Sequence, residues 1–383
     1  MIPYGKQDIN QQDIDSVISV LQSDWLTQGP QVPLFEQALS EKCQADYAIA
    51  VNSATSALHI ANLALGVGKG DIVWTSPITF IATANSALYC GAKVDFVDID
   101  LCSGNMSVDA LKIKLQWAKK HNCLPKVVIP VHLAGQSCDM ESIQMLAKEY
   151  DFSLIEDASH AVGGKYQHFP IGCCQYSDIT VFSFHPVKII TSAEGGMALT
   201  NNKMLAKSMR ALRSHGVTAN PEEMTEPSHG PWYYQQLLLG FNYRMNDIQA
   251  ALGVSQLSRI DEFVKQRNQL ATRYNLAFAN TNITLLTPST DKLSAYHLYL
   301  ILLPEANAIK HKQAIVNLRA HGICAHVHYI PVHLQPYYQQ IGFKTGDFPN
   351  AEQYYQRVIS LPLYPNLTRS EQQHIIEQVK LLV

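Results

Sequence analysis

Between residues 46 and 200, short apolar runs rich in β-branched residues alternate with stretches whose apolar positions recur at helical spacing. This rhythm constrains the fold more than any other feature of the chain. The strand-like runs are 93–97, 126–131, 152–155 and 178–184, with helical periodicity before or between them. Such alternation predicts an α/β architecture, a mostly parallel sheet covered by helices. A sheet buried on both faces needs many apolar residues, and 47% of the 383 residues are apolar while 16% are charged. The length also exceeds the roughly 250–300 residues at which one core usually stops growing. Residues 246–279 read as one or two long helices. The shorter block that follows has strand-like runs at 295–303 and 323–329 and helical patterns near 308–321, 350–359 and 368–381. These patterns predict a large domain over 1–254 and a small α+β domain over 255–383.

Before the alternating region, Ile14, Val17, Ile18 and Leu21 mark a helix within 11–23, and a polar, turn-prone loop follows over 23–33. A formal charge of −3 gives no electrostatic footprint for nucleic acid. No run approaches the ~20 apolar residues of a membrane span, and the first residues lack the pattern of a secretory leader. The eight cysteines form no C-x-x-C and no dense framework, which fits reduced thiols in a cytoplasm.

Several segments carry chemistry. Asn52-Ser53-Ala54-Thr55-Ser56-Ala57-Leu58 follows the strand-like 47–51 and opens an apolar helix. Small hydroxylated residues at a helix N-terminus offer free N–H groups, side-chain donors and the positive end of the dipole, which suits a phosphate. An ordinary N-cap stays open as a reading of this segment alone. Asp157 ends the run Ser153-Leu154-Ile155-Glu156-Asp157, at the carboxyl end of a strand, where ligands collect in open α/β sheets. A carboxylate there can keep a pyridine nitrogen protonated and so make the ring an electron sink, or it can simply cap a helix.

Residues 178–196 read DITVFSFHPVKIITSAEGG: a strand, then Ser183, then Lys188, then paired glycines. A lone lysine after a strand is usually solvated, yet Schiff-base chemistry needs an amine on such a loop, lowered in pKa by its surroundings. Ser183 at the strand end can reach a phosphate. Phe80, in a turn leading into the amphipathic 81–89, can stack on a flat ring or pack in the core. His160, three residues beyond Asp157, can meet a ring hydroxyl or sit satisfied in the interior. His326 and His328 alternate in the run 323–329 without a full ligand set in view, so no metal site is expected.

Together, SDWLTQGPQVPLFEQAL, VNSATSAL, SPITFIATANSALYCGA, IEDASHAVGG, FSFHPVKIITSAEGGMAL, RSHG and GFNYRMNDIQAALG resemble, in order, the sugar aminotransferase family often called DegT/DnrJ/EryC1/StrS. NSATSAL, FSFH before the lysine, T-x-A-E-G-G after it and the downstream HVHYIP look like the branch that serves pseudaminic acid biosynthesis. The resemblance implies the type I aspartate-aminotransferase fold, with a mostly parallel seven-stranded sheet, and pyridoxal 5′-phosphate as cofactor. It makes Lys188 the covalent anchor and proton shuttle and Asp157 the partner of the pyridine nitrogen. It also implies Phe80 on the ring, Ala54, Thr55 and Ser183 at the phosphate, and His160 where many relatives carry glutamine. Asn242 resembles the residue lent to a neighbouring subunit's phosphate, which implies a homodimer with shared sites.

For the substrate, the similar positions are Tyr4, Asp24, Trp25, Leu26, Thr27, His326, Val327, His328 and Tyr329, with Ala54, Ser183 and Asn242 close to both ligands. The implied reaction moves the amino group of L-glutamate to carbon 4 of a UDP-linked 4-keto-6-deoxy-N-acetylhexosamine on the way to a surface glycan. Another nucleotide sugar, a UDP- or TDP-linked 4-keto or 3-keto sugar, is the alternative. A dehydrating relative is disfavoured because in that branch histidine replaces the lysine, and a non-catalytic regulator because Asp157, Ser183 and Lys188 are all present.

Overall fold

The computed structural model describes residues 1–286, 288–304 and 307–382. Its main sheet has seven strands: β1 (Tyr47–Val51), β2 (Ile72–Thr75), β3 (Lys93–Phe96), β4 (Val127–Ile129), β5 (Ser153–Asp157), β6 (Ile179–Ser183) and β7 (Gly196–Thr200). Their order across the sheet is β1-β7-β6-β5-β4-β2-β3. β7 pairs antiparallel with both β1 and β6, and every other pairing is parallel. The expected mostly parallel seven-stranded sheet is therefore present. Alternate residues feed opposite faces, as strand geometry requires: Val127 and Ile129 pack in one apolar cluster and Val128 in another.

Before and between the strands run α1 (Gln11–Leu21), α2 (Gln31–Cys43), α3 (Ala54–Ala64), α4 (Ile81–Tyr89), α5 (Val108–Lys120) and α6 (Met140–Tyr150), and α7 (Lys203–Arg213) follows the last strand. Their starts are written in the sequence. Asn10 and Asp13 form a reciprocal capping box on α1, and the side chains of Ser53, Ser107 and Asp139 cap α3, α5 and α6. The stretch 246–279 is two helices, α8 (Asp247–Leu257) and α9 (Ile260–Phe278).

Beyond α9 lies a three-stranded antiparallel sheet of Thr284–Leu285, Tyr299–Leu302 and Val358–Leu361, with helices Ala308–Ala320 and Arg369–Lys380. Two expectations differ here. The helical pattern at 350–359 ends at Tyr355 and Val358–Leu361 is a strand, because so short a run has no period that separates helix from strand. The run 323–329 is not a regular strand: it pairs only at single points, Ile323 with Ile2 and His326 with Ser360. α9 spans two cores. Ile260, Phe263 and Val264 pack with Phe182 and Phe184, whereas Ala271, Tyr274 and Phe278 pack with Ile301 and Ile375.

Candidate active site

One cavity of about 610 Å³ opens at the carboxyl ends of the parallel strands. Its floor at one end is the start of α3. Ser53 accepts a hydrogen bond from the Ser56 N–H, while the N–H groups of Ala54 and Thr55, in the first turn, have no acceptor inside the helix. Ser183 closes this corner from the end of β6, opposite Gly196 of β7. The close approach depends on Gly196 having no side chain, because a Cβ there would lie 2.5 Å from the Ala54 nitrogen. Free N–H groups, hydroxyls and a helix dipole converge here, which is the donor set for a phosphate.

Asp157 is buried at the far side. Its Oδ2 accepts from the Thr83 hydroxyl at 2.6 Å, and its Oδ1 accepts from the Ser159 hydroxyl at 2.6 Å and the Ser159 N–H at 3.1 Å. This bracing holds a carboxylate at the cavity wall. Lys188 lies on the excursion between β6 and β7, which is closed at its base by Phe184 N–H to the Gly195 carbonyl and Ser192 N–H to the Phe184 carbonyl. The neighbours Ile189 and Ile190 are sunk in the core and fix the loop. Burial pushes the Lys188 ammonium down to about 8, with Asp157 opposing the shift, and no side-chain partner holds its Nζ among the described residues. A depressed, unpaired amine facing a braced carboxylate is a nucleophile with its counter-charge a short way off.

His160 lies between these groups and the mouth. Burial first, then the charge of Lys188, keeps its imidazole well below the ordinary range and therefore neutral. Its Nδ1 accepts from the Ala134 N–H at 3.2 Å, so the proton sits on Nε2 and is donated to the Tyr329 hydroxyl at 2.9 Å. The Tyr329 proton is then left for the cavity. At the mouth, Tyr4 packs against both His326 and His328, with ring centroids 5.3 Å apart in each case. His328 is anchored to the Ser360 hydroxyl at 2.7 Å and is pushed down to about 3, chiefly by burial. Phe80 stands exposed at the cavity edge, 6.4 Å from the Tyr329 ring. Among the described residues no cluster of His, Cys, Asp and Glu is arranged to hold a metal ion.

Of the expected site residues, the fold thus brings together Tyr4, Ala54, Thr55, Phe80, Asp157, His160, Ser183, Lys188, His326, His328 and Tyr329. Others lie apart. Val327 does not line the cavity, and Asp24, Trp25, Leu26 and Thr27 are exposed on a loop pinned elsewhere. The Asp247 carboxylate at the start of α8 accepts from the N–H groups of Gly29 and Gln31, and its own N–H donates to the Leu26 carbonyl. Asn242 is exposed outside the end of β1, where its carbonyl accepts from the Asn52 side chain at 3.4 Å. Thr83, Ser159, His297 and Glu194 also belong to the site and were not singled out from the sequence. Thr83 had a local signal, since it sits three residues past Phe80 at the start of a helix, within reach of the same cavity.

Every feature of the pocket suits a phosphorylated pyridine aldehyde: an anion cradle, a braced carboxylate for the ring nitrogen, an aromatic edge and a free amine. The sequence pattern of the DegT/DnrJ/EryC1/StrS aminotransferase family matches residues 7–380, so the chain belongs to that family. It is a pyridoxal-phosphate-dependent sugar aminotransferase of the type I fold. Among its relatives, the spore coat polysaccharide biosynthesis protein SpsC of Bacillus subtilis is 40% identical over 100% of this chain and 97% of its own length. The UDP-4-amino-4,6-dideoxy-N-acetyl-beta-L-altrosamine transaminase of Campylobacter jejuni is 36% identical over 96% of this chain and 93% of its own. Among solved structures, Helicobacter pylori PseC, an aminotransferase involved in the biosynthesis of pseudoaminic acid, superposes with a TM-score of 0.91 at 35% identity, over 100% of this chain and 98% of that one.

Proposed function

We propose that this enzyme transfers the amino group of L-glutamate to carbon 4 of UDP-2-acetamido-2,6-dideoxy-β-L-arabino-hexos-4-ulose, in the formation of a pseudaminic acid precursor. The observation that carries the reading is the pairing of Lys188, an unpartnered amine depressed to about 8, with the braced Asp157 in one open cavity. The likeness to a transaminase named for a 4-amino-4,6-dideoxy sugar, and to PseC, supports the choice of substrate.

In this reading Ala54, Thr55 and Ser183 hold the phosphate, Asp157 holds the ring nitrogen protonated, and Phe80 covers the ring. When bound, the cofactor supplies a pyridinium that accepts the electron pair left by removal of a proton next to the amine. Lys188 would anchor it covalently and, once released, its Nζ would hold and return the proton removed next to the amine. His160 holds the Tyr329 hydroxyl, whose proton would be free for the hydroxyl group carried on the cofactor ring. Tyr4, His326 and His328 meet the large sugar nucleotide at the mouth, where their flat and polar edges suit a pyranose and its acetamido group.

The enzyme works as a homodimer in which Asn242 and the loop carrying Asp24, Trp25, Leu26 and Thr27 serve the partner's cavity. Their exposure, away from the cavity of their own chain, supports this sharing. Incubation with glutamate and a panel of UDP- and TDP-keto-sugars tests the substrate. Mass spectrometry and NMR should find the amine on carbon 4 of the UDP-linked N-acetylhexosamine. An amine on carbon 3, or turnover of TDP-sugars alone, would replace this substrate with another.

A further inference from the structure

His297 lies two residues before the strand Tyr299–Leu302, is 4% exposed, and lines the cavity beside His160, with ring centroids 4.4 Å apart. Among the described residues neither of its ring nitrogens has a hydrogen-bond partner, and Nδ1 is sealed from solvent. The cavity's other buried histidines are each held by a partner: both ring nitrogens of His160, by Ala134 and Tyr329, and Nδ1 of His328, by Ser360. Nδ1 stays unpaired inside the wall, while Nε2 is not sealed and no protein group among the described residues holds it, so a molecule in the cavity can become its partner. With Nδ1 sealed, Nε2 is the edge left for the cavity.

The backbone behind this ring is held by a buried charge. Arg267, 1% exposed, donates to the carbonyls of Leu363 at 2.9 Å, Tyr296 at 3.2 Å and His297 at 3.3 Å. No carboxylate pairs with it among the described residues. From the other side Gly135 presses on the same segment, since a Cβ there would lie 2.7 Å from the Tyr296 nitrogen and 3.0 Å from the His297 nitrogen. Burial, His160, Lys188 and Arg267 together keep the His297 imidazole neutral. The result is a neutral imidazole backed by the Arg267 cation. An anionic oxygen is the ligand atom that its N–H donor favours. An acidic amino donor needs a carboxylate site, and no arginine lines the cavity.

We propose that His297 is a contact residue for the amino donor, its Nε2–H donating to a carboxylate oxygen while Arg267 supplies positive field from behind. The assignment rests on the glutamate-dependent reading above. It is tested by calorimetric titration of the holoenzyme with glutarate, a dicarboxylate that cannot react, and separately with UDP. His297→Ala should weaken glutarate binding by about tenfold or more, as loss of a hydrogen bond to a charged group does, and leave UDP binding within about twofold. His297→Gln, which keeps an N–H, should recover part of the loss.

Equal glutarate affinity in wild type and His297→Ala, or equal weakening of both ligands, overturns the assignment. A crystal structure of the wild-type enzyme with glutarate tests the same contact without a variant: a carboxylate oxygen at hydrogen-bond distance from Nε2 supports it, and a carboxylate placed elsewhere ends it. If the wild-type enzyme fails to convert glutamate to 2-oxoglutarate, the glutamate reading falls and takes this assignment with it. Normal wild-type turnover with unaltered glutarate binding in His297→Ala removes this assignment alone.

Discussion

Thr83 donates a 2.6 Å hydrogen bond to Oδ2 of Asp157 from the first turn of a helix that begins one residue after Phe80. One short segment thus sets both the aromatic edge of the cavity and the hydroxyl that orients the Asp157 carboxylate. Thr83→Val should keep the fold and cofactor but slow the glutamate half-reaction. Loss of a hydrogen bond to a charged group costs about 1.5–3 kcal/mol, roughly a factor of ten or more. Asp157→Asn should cost more, on the order of 10²-fold in kcat, because the amide cannot stabilise a pyridinium. Stopped-flow absorbance of the half-reaction measures both, and equal rates in either variant and wild type would remove that residue from the mechanism.

Lys188 should carry the cofactor. Borohydride reduction and peptide mapping should find the adduct on the peptide containing this lysine, and Lys188→Ala should fold normally but lose turnover. An adduct on another lysine would reassign the anchor.

The depressed amine gives a pH signature. Capture of the aldehyde requires neutral Nζ, so the rate of cofactor uptake by the apoprotein should rise with pH and level off above about 8. A midpoint near the 10.5 of an ordinary lysine would contradict the burial argument. The same shift acts on stability. The unfolded chain binds this proton more tightly than the native one, so the contribution of Lys188 is unfavourable below about 8 and fades as the pH rises toward 10.5.

Gly196→Ala should both weaken cofactor binding and destabilise the protein. The added Cβ meets the Ala54 nitrogen at 2.5 Å, and the strand or the helix start has to move. Overpacking of this kind costs about 1–3 kcal/mol. Fluorescence titration with pyridoxal phosphate should show an affinity lower by roughly tenfold, set against a melting curve of the apoprotein. Unchanged affinity would mean that the phosphate binds elsewhere.

Shared sites can be tested by complementation. Lys188→Ala and Asn242→Ala should each be inactive, and mixing them should restore activity through hybrid dimers that contain one intact site. Subunit exchange proven by mass, without recovery of activity, would assign Asn242 to its own chain.

Local chemistry was legible and long-range geometry was not. Residues 81–89 are read from their helical period, and residues 47–51 from a short apolar run ended by the turn-prone Asn52-Ser53. Lys188 and Asp157 stand out because one follows a strand and the other ends one, where parallel sheets open. His297 does not, because it interrupts an otherwise apolar run and reads as part of a strand. Its significance comes from Arg267, 30 residues earlier in sequence, and from the turn at Gly135. The loop with Asp24 and Trp25 likewise needed Asp247, whose grip on Gly29 and Gln31 spans more than 200 positions that no local pattern connects.

The helix Ile260–Phe278 enters the core behind the main sheet with its first turns and the core of the smaller sheet with its last. Leu300, Leu302 and Val358 of the smaller sheet also pack into the cluster that covers β4. Neither part can therefore melt without exposing apolar surface of the other. Denaturation should follow a single cooperative transition, with the amides of this helix among the slowest to exchange, because they open only when the whole molecule does.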